Sequence, residues 1–199
     1  GLSFTDTWNP AESWDITINL RGDWFRDDQG IRKKWKISNG EIRENETFPA
    51  HEDLAFGGSL ALNKELSESF NAQASVRSHV RRPTLNELYR PYRVGSFQVA
   101  AKESLETERI TGVELGLDWD ASERFAASIN LFYDWLPNSI ANISNPAKGQ
   151  ENNATRRNLD NSRAQGLELS TKWFLTKELS LRLHGLLMDT EVRSCPENT

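Results

Sequence analysis

Short and long connections alternate without exception along this chain, and that rhythm constrains the fold more than any single residue does. The short links fall at 8–13, 63–67, 120–123 and 175–177 and are rich in Asn, Asp, Pro, Lys and Glu, whereas the long ones span roughly 26–51, 83–104 and 137–157. Polar clusters of this kind between alternating apolar runs read as turns, and the long links exceed the ~2 to 5 residues of an ordinary hairpin loop. Sorting by length puts every tight turn on one side of a sheet and every long excursion on the other. A membrane-spanning antiparallel barrel is wired in that way. A soluble β-sandwich gains nothing from it.

The runs between the links have a period of two. Over 14–25 the even positions are Trp14, Ile16, Ile18, Leu20 and Trp24, against Asp15, Thr17, Asn19, Arg21 and Asp23 at odd ones. Alternation of this kind gives a strand one apolar and one polar face. It recurs in Phe70, Ala72, Ala74, Val76 and Val80 against Asn71, Gln73, Arg77, His79 and Arg81, and in Phe125, Ala127, Ile129, Leu131, Tyr133 and Trp135 against Ser128, Asn130 and Asp134. Val113, Leu115, Leu117 and Trp119, and Leu179, Leu181, Leu183 and Leu187, form further apolar columns. Trp14 and Trp24 stand near opposite ends of one column, and Phe125 and Trp135 repeat their spacing. At ~3.3 Å per residue and a tilt near ~40°, each pair spans about 25 Å, the height of an apolar band bounded by aromatic girdles. Trp119 and Trp173, close to short links, fit the turn-side girdle.

Composition is compatible with this and narrows the function classes. Mean hydropathy is negative, and no stretch approaches the ~18 uninterrupted apolar residues of a membrane helix. Barrels escape that test because half of each strand faces a polar lumen. A net charge of -5 argues against nucleic acid as a partner, which would require a basic stripe. The single Cys195 cannot form an internal disulfide, and His51, His79 and His184 carry no metal-ligand spacing. No metal and no cofactor are expected. The residues from Gly1 onward do not read as a signal peptide, although a barrel of this kind is expected to be exported. If the short turns face the periplasm, the first strand (about Leu2 to Trp8) and the last (about Leu179 to Val192) leave both ends of the chain at extracellular loops, so the expectation is about eight strands of a larger barrel, unable to close alone with this polarity.

Three ordered motifs add a resemblance. Arg82-Pro83-Thr84 with Glu87-Leu88-Tyr89, within 80–95, resembles the "R-P-T-x-x-E-L-Y" segment of TonB-dependent outer-membrane receptors. A following stretch from Ala100 to Glu108, then Glu114-Leu115-Gly116-Leu117, is similar to that family's "A-N-P-x-L-x-P-E…E-x-G-L". Asn158 to Asn161, leading to Gly166-Leu167-Glu168-Leu169, resembles its Asn-rich lead-in to "G-x-E-L". Lys102-Glu103 replace the usual Asn-Pro, and Thr107 an often-found Pro. Haem-receptor relatives carry a His between the first two motifs, and none occurs between Pro83 and Leu105 here. The resemblance covers about 55–192 and implies a receptor of about 22 strands in the bacterial outer membrane, with an N-terminal plug inside the barrel. This chain would be a middle-to-late part of that barrel, without the plug, the TonB box or the final strands.

The resemblance also implies a mechanism: extracellular loops and plug apex bind a scarce ligand such as a ferric siderophore, and the TonB energising complex drives import through the plug. Iron would enter only as part of the transported chelate. Loop candidates for binding are Trp35, Tyr89, Arg90, Tyr92, Arg93 and Phe97, since aromatic and Arg side chains supply much of the energy of small contact sites. Arg32, Lys33, Lys34 and Lys36 around Trp35 are expected to attract an anionic chelate. On the lumen side, Arg77, His79 and Arg81 should lie across from Glu106, Glu108 and Glu114, a charge network that stabilises register and docks a plug. Trp14, Trp24, Trp119, Trp135 and Trp173 make the membrane girdles. Two-residue spacing puts carboxylates at glycosidase distances on any strand, so these carboxylates do not argue for an enzyme. Two alternatives stay open at this point: an outer-membrane barrel that transports nothing, such as an adhesin, and a soluble Trp-rich β-sandwich that binds carbohydrate.

Overall fold

A computed structural model describes residues 1–28, 30–144 and 153–194. In chain order the elements are β1 (Leu2–Ala11), β2 (Trp14–Asp27), β3 (Gly30–Trp35), β4 (Ile42–Phe48), β5 (His51–Ser67), β6 (Phe70–Arg81), α1 (Leu85–Tyr89), β7 (Tyr92–Val94), β8 (Phe97–Ala100), β9 (Glu108–Ser122), β10 (Phe125–Leu136), β11 (Ile140–Ser144), β12 (Asn153–Asn158), β13 (Asn161–Phe174) and β14 (Ser180–Ser194). Eight of them form one antiparallel sheet in the order β1-β2-β5-β6-β9-β10-β13-β14. Tight turns join its strands at one end. At the other, the three long links leave the sheet and carry β3 with β4, then α1 with β7 and β8, then β11 with β12.

Register carries the two-faced pattern across the whole sheet. Leu62 of β5 stands opposite Ile16 on one side and Ala74 on the other, Ala74 opposite Leu115, Leu115 opposite Leu131, Leu131 opposite Leu167, and Leu167 opposite Leu187. One apolar residue per strand therefore falls into a continuous row. No described residue covers that face: Leu115, Leu131 and Leu187 are 59%, 48% and 73% exposed. With no second sheet packed on it, the β-sandwich alternative is eliminated, since a sandwich buries its inner faces against each other. Among the described residues no helix is long and apolar enough to cross a membrane; in a barrel the strands do the crossing.

What burial exists lies mostly at the excursion end. Of the buried apolar residues Ala55, Leu88, Val99, Leu105, Ala154 and Leu159, all but Ala55 belong to the second and third excursions. Val99 is fully buried. The excursions are thus a packed layer. Strands β11, β12, β8 and β7 form a second sheet, in which β12 runs parallel to β8 with Ala154 opposite Val99, so the second and third excursions share a ladder.

Three boundaries differ from the sequence reading. The turn expected at 63–67 sits instead after Ser67, because Asn63 and Glu65 remain in the β5 ladder. Lys64 stays outward there by laying its ammonium 4.6 Å over the Trp14 ring, a cation–π contact that lets a charged residue hold an apolar-face position. The first strand runs past Trp8 to Ala11 with a register irregularity. Pro10 falls within that irregularity, between the Trp8 and Ala11 pairs, where no ladder donor is needed. The last strand reaches Ser194 rather than ending at Val192. Cys195 and residues 145–152 of the third excursion lie outside the described residues.

Candidate functional site

The polar face of the sheet carries a line of ion pairs that climbs toward the excursions. Arg77 on β6 pairs with Glu114 of β9 and, at 2.8 Å, with Asp134 of β10, so one guanidinium joins three strands. Gly112 makes this possible. A Cβ at that position would overlap the Asp134 carboxylate and come within 3.2 Å of the Arg77 guanidinium. At the strand ends Arg81 pairs with Glu108, directly opposite it, and with Glu87 of α1 at 3.0 Å. His79 faces Ile110 across the ladder and meets no carboxylate among the described residues. Glu106 corrects the sequence expectation. It precedes β9 and faces the third excursion, where Asn138 donates to its carboxylate at 3.1 Å, because the chain leaves the sheet before Glu108. Asp134, which the sequence reading placed on the polar face without a role, is the partner it missed. Below this network a depression of about 280 Å³ is lined by small and polar residues including Ala61, Ser75, Gly116 and Asn130.

At the rim, α1 is the hub. Thr84 caps its first turn by accepting from the Glu87 amide, and the Glu87 carboxylate accepts in return from the Thr84 amide. This reciprocal capping box satisfies donors that a helix start leaves open. Together with Arg81, which contributes most, it holds the Glu87 carboxyl down at about 2. Arg82 pairs with Asp27 at the end of β2 and lies 5.3 Å over the Phe25 ring. At the other end of α1, Arg156 of β12, 6% exposed, donates from Nη1 to the carbonyls of Asn86, Glu87 and Arg90 at 2.8, 3.2 and 3.2 Å. Carbonyls at a helix end need donors from outside the helix; Asn86 and Glu87 also accept from the Arg90 and Lys102 amides, at 3.2 Å each, and Arg156 adds a side-chain donor common to all three. Asn158 performs the same service nearby. Its side chain accepts from the Glu106 amide and donates to the carbonyls of Glu106 and Asn138 at 2.9, 3.0 and 2.7 Å. The first excursion joins through Tyr89, whose ring sits 4.8 Å from Phe48 and whose carbonyl accepts from Arg32 at 3.5 Å. Burial pushes the Tyr89 hydroxyl's pKa up.

The loop candidates separate by exposure. Trp35 is 62% exposed on β3, and Arg90 and Arg93 are also exposed, the latter bonded to the Gly95 carbonyl at 2.8 Å. Tyr92 is open on one side while Arg156 lies 5.2 Å from its ring on the other. Tyr89 and Phe97 are half-buried and serve the packing of the rim. The basic run is split by the strand period: Arg32 and Lys34 face Glu46 and Glu44 across the hairpin and pair with them, so two of the four cations expected to attract an anionic chelate are already paired with carboxylates. Lys34 in turn lowers the Glu44 pKa. Lys33 and Lys36 meet no carboxylate among the described residues.

The five girdle tryptophans lie on the apolar face of the eight-stranded sheet. Phe70, Trp119, Phe125 and Trp173 form a chain of rings across four strands at the turn end, with centroids 5.9, 5.9 and 6.2 Å apart, and Trp14 stands at the same end of β2. Trp24 and Trp135 stand at the excursion end, and Trp135 Nε1 donates to Asn161 Oδ1 at 2.6 Å. Arg156 was not singled out by the sequence reading, which gave Asn158 only a place in a motif and Asp134 only a polar-face position. The spacing Thr84-x-x-Glu87 is a signal that would have found the capping box. Arg156 gives none, because its partners are backbone carbonyls about 66 to 70 residues away. Among the described residues no group of three His, Cys, Asp or Glu side chains is placed to hold a metal ion.

Comparison with known proteins agrees with this geometry. Among curated sequences no relative matches. Of solved structures, the chain superposes on the copper transporter OprC with a TM-score of 0.72 at 17% identity, covering 94% of this chain and 28% of that one. It superposes on the ferric yersiniabactin uptake receptor FyuA of Yersinia pestis with a TM-score of 0.69 at 15% identity (95% and 26%), and on the hemophore receptor HasR of Serratia marcescens with 0.69 at 19% identity (93% and 33%). The chain thus spans between about a quarter and a third of the length of these structures. At these identities the likeness is one of fold. Residues 1–191 match the family model described as TonB dependent receptor-like, beta-barrel, and the chain belongs to that family.

Proposed function

We propose that this chain is the ligand-facing part of an outer-membrane receptor that binds a scarce ligand at its extracellular rim and imports it with energy transduced by TonB. A ferric siderophore is the ligand class we favour, with iron carried as cargo and never as a resident cofactor. The observation that carries the reading is the interlocked rim: three excursions from separate strand pairs meet on α1 through Arg81, Arg82, Arg156 and Tyr89. A pre-ordered rim loses less entropy on binding than three free loops would. Trp35, Arg90, Tyr92 and Arg93 project from it, with Lys33 and Lys36 beside Trp35. The ion-paired wall and the depression beneath it suit a plug, which this reading supplies from elsewhere in the receptor along with the contact to TonB. A barrel that transports nothing has no observation in its favour. The test is uptake of radiolabelled ferric chelates of catecholate, hydroxamate and carboxylate types by cells whose own receptors are deleted and which express the full receptor. Uptake of one class, lost on TonB deletion and weakened several-fold by Trp35→Ala with Arg93→Ala, is the expected result. Uptake indifferent to TonB, or none from the whole panel, defeats the reading.

A further inference from the structure

We propose that Arg109 and its neighbours form a headgroup site for a phosphate-bearing lipid on the outward face of the wall, at the excursion-side edge of the apolar band. The proposal rests on the reading of that band as membrane-facing. Height on the wall follows from the aromatic spacing. The step that leads from Trp14 to Trp24 on β2, and from Phe125 to Trp135 on β10, leads from Trp119 to Arg109 on β9 and from Trp173 to Arg163 on β13. Two arginines therefore stand level with two tryptophans, on the face that carries mostly aliphatic and aromatic side chains. Trp135 has Arg163 directly opposite it on one side and Thr111 on the other, and Arg109 lies diagonally beyond Thr111 on the same face of β9.

What holds each cation differs. Arg163 pairs with Glu191 at 2.9 Å and reaches Asp189 at 3.9 Å. Arg26, on the same face of β2, pairs with Asp28 and Glu52 at 2.9 and 3.6 Å. Arg109 has no carboxylate partner among the described residues. Its Nη1 donates to the Phe56 carbonyl at 3.0 Å and to Ser78 Oγ at 2.8 Å. The carbonyl is within reach because the β5 to β6 ladder stops at Gly58 opposite Ser78, leaving a seam beyond it. Nη1 is thereby pinned across the seam, while Nε and Nη2 donate to no described residue. A guanidinium fixed by one nitrogen offers its other N–H groups as a planar fork, which phosphate accepts in pairs. The hydroxyls of Ser78 and Thr111, 3.4 Å apart, lie alongside. An uncompensated cation at the edge of hydrocarbon is costly without a counter-charge, and a headgroup phosphate supplies one. A lipid fits better than a soluble anion because Val76, Val113 and Tyr133 continue below the site as exposed apolar surface for acyl chains.

The test is native mass spectrometry of the full receptor in detergent, titrated separately with phosphatidylglycerol, phosphatidylcholine and glycerol phosphate. The expected result is several-fold more adduct with phosphatidylglycerol than with either of the others, falling to the phosphatidylcholine level in both Arg109→Ala and Arg109→Gln and unchanged in Arg182→Ala on the polar face. Equal adducts for the two lipids, an adduct indifferent to both Arg109 variants, or glycerol phosphate binding as well as the lipid would overturn the proposal. A receptor that does not enter detergent micelles at all refutes the membrane-facing reading instead, which separates the two failures.

Discussion

Glu87 shows how one side chain can be read in sequence and still hold a surprise. Its spacing from Thr84 announces a capping box, and the structure adds Arg81 from the end of β6. That arginine is the first cause of a carboxyl pKa lowered from 4.5 to about 2. Because the folded value lies below the unfolded one, the stabilisation is complete above about pH 4.5 and is lost as pH falls toward 2. The pair is partly open to water, so its worth is about 1 kcal/mol. Amide exchange over 85–90 in the full receptor should quicken, beyond the intrinsic trend, between those pH values, and Glu87→Gln should remove the pH dependence; protection that stays flat in the native protein would refute the assignment. Other residues at this scale were visible only in part. Arg77 and Glu114 were readable as partners because both lie on polar-face positions of neighbouring strands, whereas Asp134 required knowing that β10 follows β9 in the sheet and that Gly112 leaves space between them.

At the scale of the strand, the period of two determines which residues take the apolar face of the sheet and which the polar one. Leu131 projects from the apolar face between Leu115 and Leu167, and its neighbour Asn130 from the polar face between Gly116 and Glu168. Leu131→Arg near the middle of the band should cost about 2 to 4 kcal/mol and reduce assembly of the full barrel, read as loss of the heat-modifiable band on gels, while Asn130→Arg should assemble normally. Equal tolerance of the two would break the register. The strands were legible because each repeats one simple alternation over ten or more residues. Elements within the excursions were not, since β7 is three residues long and β8 four, too short for periodicity to distinguish them from loop. They exist because partners distant in sequence complete them, as Ala154 and Thr155 do for Val99 and Ala100.

For the molecule as a whole, the buried centre lies in the excursions rather than the sheet, and Arg156 is the residue that ties it together. Arg156→Ala removes a buried donor shared by three carbonyls of the α1 end, two of which keep a backbone partner, and should cost about 1 to 3 kcal/mol of local stability. The signature of an interlocked rim is that amide protection drops together over 85–100 and 153–159 in hydrogen exchange of the full receptor; loss confined to one excursion would mean that the loops are independent. Sequence alone determined the antiparallel sheet, its two faces and the sorting of its connections, because those follow from local periodicity and from the residues that make turns. The resemblance of three motifs named the family. Only the tertiary structure decided which charges are neutralised, that the excursions pack into one layer, and that Arg109 is left with open donors on the outward face. Each of these depends on which strands become neighbours and where a ladder stops, and a one-dimensional pattern holds no record of either.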